Sequence, residues 1–127
     1  MEGYDSPQVI SDYILSSDPE VSRLNFHPHS LEAEQSVLGG LLISSDAWEV
    51  VSDQINSDDF YRPNHRQIFR GIALLAEEND PIDIITLADK LQAQGVLETV
   101  GGLAYISELA EKTPSVSNIK AYAAVIR

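Results

Sequence analysis

SLEAEQSVLGGLLIS, residues 30–44, carries apolar side chains at Ala33, Val37, Leu38, Leu41 and Leu42, the three-and-four spacing that lines one face of an α-helix. Gly39 and Gly40 interrupt it, and each costs about 1 kcal/mol relative to alanine in a helix interior. A glycine lets a second backbone come close, because no Cβ stands between them. The stretch therefore predicts a central helix that crosses a neighbour at Gly39 and Gly40. Tighter burial of Val37, Leu38, Leu41 and Leu42 would offset the penalty. Ser30 is the expected N-cap, with Glu32 and Glu34 in the first turn, where the helix dipole favours negative charge.

The chain continues as short helical units. In SSDAWEVVSDQI, Asp46 is the expected cap with Glu49 in capping-box position, and Trp48, Val51 and Ile55 recur at helical spacing. NSDDFY reads as a turn anchored by both aromatics. RPNHRQIFRGIALLAEEND predicts the clearest helix, with Pro63 in its first turn, Ile68, Phe69, Ile72, Leu75 and Ala76 on one face, and a stop at Asn79 to Pro81. After it, Ile82, Ile84 and Ile85 would suit a short strand, whereas Ile84, Leu87, Ala88 and Leu91 mark a helix capped by Asp83 and ended by Gly95. GGLAYISELAEKTP gives another, with Leu103, Ile106, Leu109 and Ala110 inward. Ser117 can cap the last, with Ile119, Tyr122, Ala123 and Ile126 on a face. The expected fold is all-α, a compact bundle of about six short helices over residues 30–127. That last helix carries no stop signal before Arg127, so the sequence reads as part of something longer.

Residues 1–29 read as an acidic tail. They hold Pro7, Pro19 and Pro28, and five acidic residues against Arg23. The expectation is disorder, the alternative a short helix at residues 9–15 that docks on a partner.

Composition narrows the function. The 127 residues, 43% hydrophobic, suffice for one domain. Eight Lys and Arg oppose 20 Asp and Glu, a net charge of −12, which repels phosphate backbones and disfavours direct nucleic-acid binding. A basic protein partner or solubility suits it better. There are no cysteines, which excludes disulfides and thiolate chemistry and suits a reducing cytoplasm. No apolar run is long enough to span a bilayer, and the acidic N-terminus is not a secretory signal.

No phosphate loop, dinucleotide fingerprint, zincin motif or nucleophile elbow is present. His27 and His29 suggest a metal pair without a third ligand nearby, and a solvated turn explains them better. His65 reads as a surface or capping residue. Asp58, Asp59 and Asp83 could be paired carboxylates, but turn and cap roles account for them. Arg62, Arg66 and Arg70 stand four apart, so they share a helix face beside His65. They either pair internally with carboxylates or form a contact patch for an acidic surface, such as another copy of the domain.

PHSLEAEQSVLGGLL, DDFYRPNHRQIF, PIDIITLADKL, GGLAYISEL and TPSVSNIKAYA, in this order and spacing, resemble the N-terminal domain of bacterial replicative DNA helicases of the DnaB type. The resemblance covers residues 26–127; His27 departs from it, standing where many relatives have proline. It implies a non-catalytic collar domain of a homohexameric ring that docks the C-terminal domain of primase and, in some systems, a helicase loader. It implies that ATP and magnesium belong to a motor domain beyond this chain, and that the protein is cytoplasmic, with no membrane or direct nucleic-acid contact here. Glu32 and Tyr105 match family positions tied to primase contact or to signalling between collar and motor. On physical grounds, Tyr105 lies off the stripe of Leu103, Ile106 and Leu109, where an amphipathic ring suits an interface. The isolated chain is expected to be monomeric or weakly dimeric. A free-standing acidic helical adaptor is the alternative, and a small Asp and His hydrolase the third reading.

Overall fold

In the computed structural model, residues 28–113 and 115–127 are described. The first helix, α1 (Pro28–Ile43), buries Ala33, Val37, Leu38, Leu41 and Leu42. It begins two residues before Ser30, so that serine lies inside the helix, and Glu32 and Glu34 fall beyond the first turn. The expected tail therefore gives way to helix at Pro28, and the rest of it lies outside the described residues.

The glycine pair is where α1 is crossed. A Cβ on Gly39 would collide with Thr113 Oγ1 and the backbone carbonyl of Leu109. One on Gly40 would meet Ile119 Cδ1 at 2.9 Å and Val116 Cγ1 at 3.3 Å. Thr113 donates its hydroxyl hydrogen bond to the Leu109 carbonyl at 2.9 Å, so a helix end with its own polar group satisfied rests on bare backbone. The weakened helix is the price of that contact.

A 3₁₀ turn (Ser45–Ala47) leads into α2 (Trp48–Gln54). Neither Asp46 nor Glu49 caps it: Ser44 and Ala47 occupy the cap positions, without side-chain hydrogen bonds. A second 3₁₀ turn (Ser57–Asp59) closes with a capping box between Asn56 and Asp59. Phe60 is buried there, but Tyr61 is 45% exposed, so one aromatic anchors the turn rather than two.

Helix α3 (Pro63–Glu77) starts on Pro63 as expected and stops ahead of Asn79, whose φ is 60°. Its buried face is His65, Ile68, Phe69, Gly71, Ile72 and Leu75. Phe69 carries the aromatic cluster, with ring centroids 5.0 Å from Phe60 and 5.3 Å from Trp48. Helix α4 (Ile84–Ala93) settles the strand-or-helix ambiguity. Asp83 accepts from the Thr86 amide at 2.8 Å while Thr86 Oγ1 accepts from the Asp83 amide at 3.0 Å, a reciprocal cap that commits the chain to helix. Gly95, with φ 77°, follows its end. Gly71 admits α4 closely, since a Cβ there would lie 2.9 Å from Leu87 Cδ1.

Then come α5 (Leu97–Val100), α6 (Gly102–Glu111) and α7 (Ile119–Ile126), giving seven α-helices and no strand among the described residues. The short α5 was not expected. Helix α6 turns differently from the predicted stripe: Gly102, Ile106 and Leu109 face inward while Leu103 is 47% exposed. Starting the helix at Gly102 puts that glycine on the core face, with Tyr105 beside it rather than off it. In α7, Ile119 and Ala123 are buried, but Asn118 rather than Ser117 holds the cap position. No described helix is long and apolar enough to cross a membrane.

Candidate functional site

Three polar residues sit on the apolar faces of three helices and meet. Glu34 on α1, His65 on α3 and Tyr105 on α6 form a chain: Glu34 Oε1 lies 2.6 Å from His65 Nδ1, and His65 Nε2 lies 2.6 Å from the Tyr105 hydroxyl. Glu34 Oε2 accepts the backbone N–H of Tyr61, and Gln35 Nε2 donates to the Tyr105 hydroxyl over a longer 3.4 Å. Glu34 and His65 are buried and Tyr105 is half-buried.

The partners suit one another. A carboxylate oxygen accepts, an imidazole can donate from one nitrogen and accept at the other, and a phenol hydroxyl can do either. Each buried polar atom of the trio then has a partner, which is the condition for burial without a penalty of several kcal/mol. The His65 and Tyr105 rings lie nearly parallel, 11° between planes with centroids 5.9 Å apart. Carboxylate, imidazole and hydroxyl in series is also how hydrolases build a nucleophile. Here the hydroxyl is engaged on both sides, by His65 and by Gln35, and its role is a clamp between helices.

His65 is therefore neither a surface nor a capping residue: it is fully buried. The signal was in the sequence. His65 stands three before Ile68 and four before Phe69, and Glu34 stands three before Val37 and four before Leu38. A polar residue on each of two apolar stripes implies a shared partner inside.

The candidate interaction residues separate. Glu32 is exposed on α1. Tyr105 belongs to the buried chain, with part of its ring accessible. The three arginines do not act as one row. Arg62 is exposed at the N-cap of α3 with extended backbone. Arg66 folds back, its Nε donating to the Phe60 carbonyl at 2.8 Å and an Nη to the Tyr61 carbonyl at 3.2 Å. Arg70 donates to Ser57 Oγ at 3.2 Å and stands 3.7 Å from Asp58. Asp59 closes the capping box of its 3₁₀ turn and Asp83 is the N-cap of α4, roles that turn and cap chemistry accounts for. His27 lies outside the described residues, and the weighed metal pair with it. Among the described residues no group of three or more His, Asp or Glu could hold a metal ion.

The family model for DnaB-like helicase N terminal domains matches residues 27–127. The chain is 52% identical over 100 residues to the replicative DNA helicase DnaB of Pasteurella multocida, covering 79% of this chain and 21% of that one. It is 44% identical over 114 residues to the DnaB of Haemophilus influenzae, covering 90% and 24% respectively. Among solved structures, the crystal structure of the N-terminal domain of DnaB helicase from Mycobacterium tuberculosis superposes with a TM-score of 0.74 at 38% identity, over 76% of this chain and 67% of that one. The chain belongs to the family of DnaB-like helicase N-terminal domains. It spans about a quarter or less of the length of these curated relatives.

Proposed function

We propose that this chain is the non-catalytic collar domain of a replicative DNA helicase: six copies assemble at the N-terminal face of a hexamer and dock the C-terminal domain of primase, with a helicase loader as a further partner. ATP and magnesium act in a motor domain elsewhere in the full-length cytoplasmic protein, and duplex unwinding is that domain's work. The family match over residues 27–127 supports this reading most directly. The net charge of −12 adds to it, because a surface of that sign favours basic protein partners over phosphate backbones.

Glu32 and Tyr105 are the proposed primase contacts, and Arg62 and Arg70 the proposed contacts between copies; Arg66, expected to join them, is instead held by the Phe60 and Tyr61 carbonyls. Glu32 is exposed, and Tyr105 is a rigid aromatic whose hydroxyl is already fixed, which lowers the entropy lost on docking. Titration calorimetry with the cognate primase C-terminal domain tests the reading. Binding is expected for the wild-type chain and at least about tenfold weakening for Glu32→Ala and Tyr105→Ala, each about 1.4 kcal/mol or more. Absence of binding by the wild-type chain overturns the docking role.

A further inference from the structure

The charges on α3 run against its own dipole. Arg66 and Arg70 stand in its first half, after Arg62 at the cap, while Glu77 lies in its last turn with Glu78 and Asp80 just beyond. A helix N-terminus is electropositive and a C-terminus electronegative, so this order is unfavourable within the helix. Two of these residues have strong internal partners. Arg66 holds the Phe60 and Tyr61 carbonyls, and Glu78 pairs with Lys90 Nζ at 2.6 Å. Arg70 and Glu77 do not. Arg70 has only a 3.7 Å exposed pair with Asp58 and its bond to Ser57, and Glu77 has no ion-pair partner among the described residues.

An apolar groove of 570 Å³ is lined by Trp48, Ala73, Leu74 and Ala76 together with both of these charges, Arg70 and Glu77. Arg70, Ala73, Leu74 and Glu77 are spaced by three, four and seven, so they share one face of α3. Their centre is the Ala73–Leu74 peptide, and the charges stand symmetrically about it, about 10 Å apart along the axis at 1.5 Å per residue.

We propose that this groove is covered by α3 of a second copy of the chain, antiparallel, with a two-fold axis passing by Ala73 and Leu74. An isologous contact must be self-complementary. In this arrangement Arg70 of each copy faces Glu77 of the other, Ala73 and Ala76 allow the helices to approach closely, and the two Trp48 rings flank the seam. The antiparallel neighbour also brings opposite charge to both unfavourable ends of α3. The inference rests on the reading of the domain as an assembly module, and it names the surface and the residues that pair.

Sedimentation equilibrium of the 127-residue chain tests it, with circular dichroism to verify that each variant is folded. The wild-type chain is expected to dimerise reversibly at up to millimolar concentration. Arg70→Glu and Glu77→Arg each weaken self-association at least about tenfold, since each places like charges across the axis twice. Mixed together, these two variants form a heterodimer as strong as the wild-type pair, because both facing positions are again opposite in sign. Leu74→Asp abolishes pairing. A wild-type chain that stays monomeric, or charge variants that self-associate like wild type, overturns the proposal. So does a mixture of the two variants that stays monomeric. Primase binding is a separate readout: if it fails while pairing behaves as described, the docking reading falls and the α3 contact stands.

Discussion

Nδ1 of His65 and Oε1 of Glu34 are 2.6 Å apart, bridging 31 residues of sequence, and neither side chain exceeds 3% exposure. Such a pair is a poor source of net stability but a severe liability when half of it is removed, because the remaining group stays buried without a partner. His65→Ala is expected to cost about 3 to 5 kcal/mol in urea unfolding. In a double-mutant cycle with Glu34→Ala, the coupling between the two positions should be about 1 to 3 kcal/mol. Additive losses would show that the two side chains do not interact in solution.

Tyr105 has two separable parts, the ring and the hydroxyl. Tyr105→Phe keeps the ring stacked on His65 and leaves His65 Nε2 without its partner, a loss of about 1 to 3 kcal/mol. Tyr105→Ala removes both and should cost more, about 3 kcal/mol or above. Thermal unfolding followed by circular dichroism ranks the two. Any primase-binding defect of Tyr105→Ala should be compared with Tyr105→Phe, since only the ring is available to a partner.

The two glycines of α1 should answer differently to alanine. At Gly39 the new methyl meets the Leu109 backbone, which cannot rotate away, and overpacking of this kind costs about 1 to 3 kcal/mol. At Gly40 it meets the ends of Ile119 and Val116, which can shift, and alanine regains about 1 kcal/mol of helix propensity. Chemical denaturation should find Gly39→Ala clearly destabilised and Gly40→Ala near wild type. Equal effects would contradict the crossing geometry.

Glu78 and Lys90 form an exposed pair with a readable pH signature. The hydrogen bond and charge of Lys90 hold the Glu78 carboxyl below its ordinary 4.5, and Glu78 raises Lys90 above 10.5. The carboxylate shift contributes stability that is present above pH 4.5 and lost as pH falls through the lowered folded value. The lysine shift acts oppositely, contributing below pH 10.5 and fading as pH rises above the raised value. Carboxyl-carbon NMR titration should place the Glu78 midpoint below 4.5 in the wild-type chain and raise it in Lys90→Met, which removes the largest cause of the shift.

The elements legible in the sequence were those whose signals were local. Pro63, Asp83 and Gly95 mark helix ends by chemistry confined to a few residues, and each stands where that chemistry put it. The Gly39 and Gly40 crossing was legible for a different reason: a penalty inside a strongly apolar helix demands an external cause. The structure differs from the expected caps because α1 starts ahead of Ser30, a 3₁₀ turn takes up Asp46 before α2, and α7 starts one residue later than a Ser117 cap requires, with Asn118 at its N-cap position. Leu103 was misplaced because α6 begins with a buried glycine, which carries no hydropathic signal. Glu34 and His65 each stand on an apolar stripe, which signals an internal partner for each. Which residues complete the chain, Tyr105 among them, appears only when three helices are brought together. Arg66 does pair internally, one of its two expected readings, but with the Phe60 and Tyr61 carbonyls where the chain enters α3 rather than with carboxylates.

The two oxygens of Glu34 also share an entropic cost. Closing a loop of some thirty residues costs roughly 3 kcal/mol in chain entropy by the logarithmic law. One oxygen reaches His65 and the other the Tyr61 amide, both within a single short segment of the chain. Once either contact forms, the loop is already closed, and the second follows at almost no further loss of freedom. The docking of α1 onto the start of α3 is thus cooperative at the level of one side chain, and this corner of the domain should gain or lose amide-exchange protection as a unit.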